Sequence, residues 1–129
     1  LRDYNLEMCN WEKIEMYNED MNIIMKKVQS ADAYILAYPV YNYSLSGVCK
    51  NFIDIFSYYM NGKKCWIIHN SYSERSFSDG MGELFKILGL HDNVNIVLPV
   101  VHSCNNDFDD NRITWIKVIE KINTLIKQF

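Results

Sequence analysis

The sequence lacks the features of several classes of protein. No apolar run among its 129 residues approaches the roughly 20 residues of a membrane-spanning helix, and no signal-peptide pattern opens the chain. Lysine and arginine are scattered rather than clustered, and the formal net charge is -3. Because phosphate backbones attract basic surfaces, this balance argues against a nucleic-acid partner. We expect a soluble, cytoplasmic protein with no membrane and no nucleic-acid partner.

Motifs for metal binding and nucleophilic catalysis are also missing. The four cysteines are widely spaced and form no Cys-x-x-Cys pair, so we expect reduced thiols and no metal or iron–sulfur cluster. No Gly-x-Ser-x-Gly, His-Glu-x-x-His or P-loop pattern occurs, and nothing supports a hydrolase. The acidic run 107–111 lacks the glycine and distal glutamate of a calcium loop. We interpret it as the N-terminal cap of the last helix.

Hydrophobic periodicity predicts alternating helices and strands from Asn18 onward. Strands are predicted over 33–38, 64–70 and 94–101, and the first should end at Pro39 because proline removes a ladder donor. Apolar residues at steps of three and four predict four helical stripes: Met21, Ile24, Met25 and Val28; Leu45, Val48, Cys49, Phe52, Phe56, Tyr59 and Met60; Met81, Leu84, Phe85 and Leu88; Trp115, Val118, Ile119, Ile122, Leu125, Ile126 and Phe129. This alternation favours one α/β domain over residues 1–129, with helices on both faces of a parallel sheet.

Boundary residues support these helices. The second helix should begin near Ser46 and end at Asn61-Gly62, and Gly89 should be a left-handed cap after the third helix. Cys49 and Cys65 fall in the second stripe and in a strand, which predicts that both are small core residues.

The segment after the first strand carries the most specific pattern. It contains the motif residues Pro39, Tyr41, Asn42, Ser44, Ser46, Gly47, Lys50, Asn51, Ile53 and Asp54. This pattern resembles the NADPH-dependent FMN reductase family, whose hallmark is Pro-x-Tyr-Asn-x-Ser-x-Ser-Gly-x-x-Lys-Asn-x-(Ile/Leu)-Asp after a strand. The resemblance implies a flavodoxin-like, doubly wound parallel sheet in three layers, with FMN as cofactor and NADPH or NADH as co-substrate. The alternative is an unrelated buried strand followed by a loop and an amphipathic helix.

The resemblance implies a flavin-ring site on two loops at the carboxyl ends of neighbouring strands. The first loop supplies Pro39, Val40, Tyr41, Asn42, Tyr43 and Ser44, and the second supplies His69, Asn70, Ser71 and Tyr72. The second loop lacks the glycine-bearing turn usual in the family, so an ordinary solvated loop is the alternative there.

No catalytic side chain is assigned, because hydride transfer needs stacking of nicotinamide on flavin rather than a protein acid or base. His69 and His102 should share one sheet edge. They could relay protons, or they could be strand-end histidines with hydrogen bonds to loop groups.

The family opens with a strand, a phosphate-binding loop, a helix and a second strand, whereas residues 1–6 resemble the exit from that second strand. We therefore expect the N-terminal βα element and the phosphate site to be missing from this chain. The resemblance implies an FMN-dependent NAD(P)H oxidoreductase that passes electrons to a small acceptor, such as flavin or quinone, as a homodimer or higher homo-oligomer. Alternatives are a flavin-binding electron carrier or a truncated family member that has lost flavin binding.

Overall fold

Three parallel strands form the centre of the fold. The computed structural model describes residues 1–76 and 80–128. The strands are β1 (Ala33–Tyr41), β3 (Lys64–Ser71) and β4 (Asn95–Cys104), and a two-residue strand, β2 (Ser44–Leu45), folds back antiparallel on β1. The sheet order is β2-β1-β3-β4, and β3 is parallel to both of its neighbours. The three predicted strands and their parallel arrangement are confirmed.

Helices connect these strands. They are α1 (Glu19–Ser30), α2 (Gly47–Phe56), α3 (Met81–Leu84) and α4 (Ile116–Ile126). A 3-10 turn (Ser57–Met60) extends α2, and a π-helical segment (Phe85–His91) extends α3. Further 3-10 turns cover Ile14–Met16, Glu74–Ser76 and Asn105–Asp107, and β5 (Phe108–Asp109) pairs with β6 (Arg112–Ile113) in a small hairpin. None of the described helices is long and apolar enough to cross a membrane.

The helices form a layer on each face of the sheet. One core contains Met21, Ile24, Ile53, Phe56, Cys65, Ile67, Leu84 and Leu88, so α1, α2 and α3 share one face. The other core contains Trp66, Val101, Val118 and Leu125, which places α4 on the opposite face. Cys49 and Cys65 are buried as predicted. The predicted three layers are confirmed. Helices cover both faces because apolar strands in a parallel sheet must be buried on both sides.

The predicted start of the second helix is confirmed for α2, and the predicted end is confirmed for its 3-10 extension rather than for α2 itself. Ser46 is the N-cap of α2, and its hydroxyl accepts a hydrogen bond from the Cys49 amide at 3.3 Å. The 3-10 turn after α2 ends at Met60, and Gly62 follows with a φ of 73°.

The prediction that Pro39 ends the first strand is wrong. Strand β1 runs through Pro39 to Tyr41, and Pro39 is in register with Asn70 of β3. Among the described residues, the other side of β1 has a strand neighbour only at Val40 and Tyr41. Proline is tolerated in a strand with one open side, because a ladder donor is not required there.

The predicted helical stripes and the predicted Gly89 cap also need correction. Val48, Phe85, Trp115, Ile119 and Ile126 are exposed rather than core residues, whereas Phe129 lies outside the described residues. Gly89 lies within the π-helical segment, and the positive-φ glycines of the described chain are Gly62 and Gly80. Periodicity finds the apolar stripe of a helix, but the width of the covering layer decides how much of that stripe is buried.

The acidic run does not cap the last helix. The Asp107 carboxylate is buried and accepts a hydrogen bond from the Cys104 amide at 2.7 Å, which closes the 3-10 turn Asn105–Asp107. The β5–β6 hairpin then separates this turn from α4, which begins at Ile116. The prediction is wrong because the hairpin puts the carboxylates in a different local structure.

Candidate functional site

The loop after β1 is a tight hairpin turn that presents aromatic side chains. Tyr41 is in register with Ser44, and the two residues between them, Asn42 and Tyr43, have φ values of 50° and 63°. Two successive left-handed residues are typical of the type I′ turns that join antiparallel strands. Tyr41 and Tyr43 are 62% and 66% exposed. The turn therefore holds two aromatic rings at the carboxyl end of β1.

Neighbouring elements hold this turn in place. The Ser44 hydroxyl donates to the Glu83 carboxylate at 2.8 Å, which ties β2 to α3. Gly80 approaches β2 so closely that an added Cβ would lie 3.3 Å from the Leu45 amide nitrogen. Lys50 and Asp54 form an ion pair one helical turn apart on α2. The motif residues thus stabilise the loop and helix that bound the site.

A cavity of about 760 Å³ opens beside this hairpin, and we call it the main cavity. Its lining is Leu1, Arg2, Tyr4, Leu6, Leu36, Ala37, Tyr38, Pro39, Tyr41, Ser46, Val48, Cys49 and Phe52. Most of these side chains are apolar or aromatic, and Arg2 contributes a guanidinium group. A mostly apolar cavity with a few polar groups is the usual form of a cofactor site, and its volume lies in the usual range.

The first predicted loop divides between the main cavity and its rim. Pro39 and Tyr41 line the cavity, whereas Val40 is buried in β1. Asn42 and Tyr43 are exposed at the tip of the turn. Ser44 is held by Glu83 beside the turn.

The second predicted loop lies one strand away, at the end of β3. His69 is 0% exposed, and the buried Ser71 hydroxyl donates to the Ser73 carbonyl at 2.7 Å. Asn70 donates to the Ser103 hydroxyl at 3.0 Å, and Tyr72 is 84% exposed. Because the His69 imidazole is buried, a ligand at this edge of the sheet would contact the residues beside His69 rather than its ring.

Asn70 also lines a second hollow, of about 460 Å³, together with Asn105, Phe108 and Asn111. The main cavity and this hollow share no lining residue among the described residues. The register still places them close, because Pro39 of the main cavity is opposite Asn70. Both predicted loops therefore meet one sheet edge, although in two separate depressions.

Three aromatic side chains form a row across the sheet below this edge. Tyr38, His69 and His102 are in register on β1, β3 and β4, with ring centroids 5.7 Å and 4.7 Å apart. The His102 Nε2 lies 3.5 Å from the Ser71 hydroxyl oxygen. This geometry confirms that both histidines share the carboxyl edge.

Burial sets the protonation of this row. It lowers the pKa of His69 to about 4, and the nearby His102 and Lys121 contribute to the decrease. Burial also lowers the pKa of His102, although the Asp107 carboxylate opposes this change. Both imidazoles are therefore neutral at pH 7 and place no positive charge beneath the loop.

Several residues that line the main cavity were not predicted from the sequence. Leu1, Arg2, Tyr4 and Leu6 come from a segment without periodic pattern, and their position depends on long-range contacts. Val48, Cys49 and Phe52 could have been found, since their spacing places them on one face of the helix that follows the loop. Within residues 1–76 and 80–128, no group of three histidine, cysteine or acidic side chains is placed to hold a metal ion.

Comparison with known proteins identifies the family. The family model of NADPH-dependent FMN reductases matches residues 1–109. The chain belongs to this family. An NAD(P)H-dependent FAD/FMN reductase of Geobacillus thermodenitrificans is 35% identical over 57 residues, which cover 44% of this chain and 31% of that protein. An NAD(P)H-dependent FMN reductase of Pseudomonas aeruginosa is 36% identical over 59 residues, or 39% of this chain and 32% of that protein.

Solved structures place this FMN reductase family member in the flavodoxin-like fold. The apo form of an NADH:FMN oxidoreductase matches 88% of this chain and 60% of its own chain, with a TM-score of 0.75 and 20% identity. An oxidoreductase from Corynebacterium diphtheriae matches 85% and 59%, with a TM-score of 0.70 and 17% identity. At these identities the matches establish the fold alone. The chain thus spans about a third of its curated relatives and three fifths of these structures.

Proposed function

We propose that this protein binds FMN in the main cavity and uses NADPH or NADH to reduce a small acceptor, such as free flavin or a quinone. The observation that carries this proposal is the main cavity itself, which lies against the family motif and is walled by Pro39, Tyr41 and Phe52. Its volume and its apolar, aromatic lining suit a planar ring system. When bound, FMN supplies the ability to accept and donate a hydride.

The residues of the cavity suit distinct parts of the cofactor. Tyr41 and Phe52 offer aromatic surface to the flavin ring, and the turn at Asn42 and Tyr43 offers backbone groups at the rim. Arg2 is the only cationic residue in the described lining of the main cavity, and its guanidinium suits an anionic group such as a phosphate. Because His69 and His102 are neutral, they add no positive charge near the flavin ring, and the charge around the ring is set by the groups of the turn and by Arg2. In this arrangement the protein binds and orients FMN while the cofactor carries the reaction.

We propose a cytoplasmic location and a homodimer or higher homo-oligomer. The location is supported by the cysteines, which are all free thiols within the described chain. Oligomerisation is supported by apolar side chains on the described surface: Met8, Trp11 and Met16 are each more than 70% exposed. Size-exclusion chromatography with light scattering should give a molar mass of at least two chains. A monomer at all protein concentrations would contradict this expectation.

The first experiment is an absorption spectrum of the purified protein and of its acid supernatant, followed by FMN titration and anaerobic mixing with NADPH. We expect flavin bands, release of FMN and rapid bleaching. Bound flavin that NADPH does not bleach would favour an electron carrier. A colourless protein that takes up no added FMN would refute the proposal and leave a family member without flavin binding.

A pair of tyrosine variants tests the location of the site. Tyr41→Ala should weaken FMN binding about tenfold, because it removes aromatic surface worth roughly 1.4 kcal/mol from the cavity wall. Tyr58→Ala is the matched control, since Tyr58 is 76% exposed and does not line the cavity. Equal affinities for the two variants would place the flavin elsewhere.

A further inference from the structure

Asn51 connects α2 to a distant segment of the chain. Its side chain is largely buried, with 8% of the residue exposed. The side-chain Oδ1 accepts a hydrogen bond from the Cys9 amide at 2.7 Å, and Nδ2 donates to the Glu7 carbonyl at 2.9 Å. One planar amide thus satisfies a donor and an acceptor of the same backbone segment, as a neighbouring peptide group in a sheet would.

Tyr4 and Leu6 of this segment pack against the core, whereas three other hydrogen bonds that hold the segment are exposed. The Asn5 amide donates to the Asp20 carboxylate at 2.7 Å, and the Asn18 side chain donates to the Asn5 carbonyl at 2.9 Å. The Asn18 amide donates to the Glu7 carboxylate at 2.5 Å. All three bonds are exposed to water, whereas both Asn51 bonds are partly buried. Of these hydrogen bonds, water competes least with the two that Asn51 forms.

The attached segment is also a wall of the main cavity. It contributes Leu1, Arg2, Tyr4 and Leu6, and α2 contributes Val48, Cys49 and Phe52. Asn51 joins these two walls without lining the cavity itself. We propose that Asn51 is a positioning residue that holds residues 1–9 against α2 and so preorganises the cavity for its cofactor. This inference rests on the proposed function.

The physical basis is the entropy of an unattached segment. If residues 1–9 were free in the apo protein, binding would have to order them, and that cost would reduce the affinity. With Asn51 in place, the segment is ordered before the ligand arrives. Loss of the side-chain amide should therefore weaken FMN binding about tenfold and release the segment in the apo protein.

The experiment compares three variants of the full chain. Asn51→Leu removes both hydrogen bonds, and Asn51→Asp keeps the size of the side chain but turns a repelling oxygen toward the Glu7 carbonyl. Ser57→Ala is the control, because it removes a buried hydroxyl whose bond, to the Ile53 carbonyl at 2.6 Å, stays within the same helical region. FMN affinity is measured by quenching of flavin fluorescence. Hydrogen–deuterium exchange of the peptide covering residues 1–10 is measured with and without FMN.

Both Asn51 variants should bind FMN about tenfold more weakly and exchange rapidly over residues 1–10, with slower exchange when FMN is bound. Ser57→Ala should match the wild type in both measurements. Unchanged affinity in the Asn51 variants, or an equal loss in Ser57→Ala, would overturn the inference. If the wild type itself binds no FMN, the proposed function fails. The exchange measurement without FMN then decides whether Asn51 holds the segment: slow exchange in Asn51→Leu would overturn that role as well.

Discussion

Replacing Tyr38 by phenylalanine should make this protein more stable. Tyr38 is 5% exposed, and its hydroxyl has no hydrogen-bond partner among residues 1–76 and 80–128. Burial, together with the nearby Cys49 and Glu83, raises the pKa of the Tyr38 phenol, so the group stays protonated. A neutral hydroxyl buried without a partner loses its hydrogen bonds to water and gains none in the folded state.

The size of the effect follows from that loss. A buried, unsatisfied polar group costs about 1–3 kcal/mol, and phenylalanine removes only the hydroxyl while it keeps the ring beside His69. We expect the free energy of unfolding to rise by about 1 kcal/mol. For a chain of this length, such a change corresponds to an increase in Tm of about 4 °C.

Tyr34→Phe is the matched comparison. Tyr34 lies on the same strand and packs against the same core, but its hydroxyl donates to the Val28 carbonyl at 2.6 Å. Loss of this bond should lower the free energy of unfolding by about 1 kcal/mol. Urea and thermal unfolding followed by circular dichroism would measure both variants. If Tyr38→Phe destabilises the protein as Tyr34→Phe does, the Tyr38 hydroxyl has a partner and the reasoning is refuted.

Two further predictions concern backbone geometry and pH. Gly80→Ala should lower the free energy of unfolding by about 2 kcal/mol, because Gly80 has a φ of 74° and an added Cβ would press on Leu45. Gly82→Ala should raise it by about 0.5–1 kcal/mol, because Gly82 lies on α3 with open space around it. Denaturation midpoints that move in the same direction for both variants would contradict this contrast. Stability should fall as the pH decreases from about 6.5 to 4, because His69 has a folded-state pKa of about 4 and the unfolded chain takes up the proton first. The His69 contribution is about 3 kcal/mol in total. His69→Gln should flatten that part of the pH profile, and an unchanged profile would show that the pKa of His69 does not differ between the folded and unfolded states.

Local rules predicted much of the fold. Apolar runs located all three parallel strands, and the N-cap at Ser46 and the stop at Gly62 set the limits of α2 and its 3-10 extension. The motif from Pro39 to Asp54 predicted the family that the comparison identifies. These features depend on neighbouring residues, so a single sequence contains their signal.

The errors arise where a distant element determines the outcome. Pro39 stays in β1 because the sheet leaves one side of that strand open, and Val48 faces the main cavity because nothing in the described chain covers that part of α2. Proline chemistry and helical periodicity are correct as local statements in both cases. Neither rule predicts where the neighbouring strand or layer of the fold will lie.

The candidate site divides in the same way. The sequence by itself placed Pro39 and Tyr41 near the carboxyl end of the first strand, Cys49 in the core, and the two histidines at one sheet edge. Only the tertiary structure decided that Leu6 and its neighbours wall the main cavity, and that Asn51 attaches this segment more than 40 residues away. Backbone hydrogen bonds to a single side-chain amide leave no periodic trace, because their partners are set by packing in space rather than by spacing along the chain.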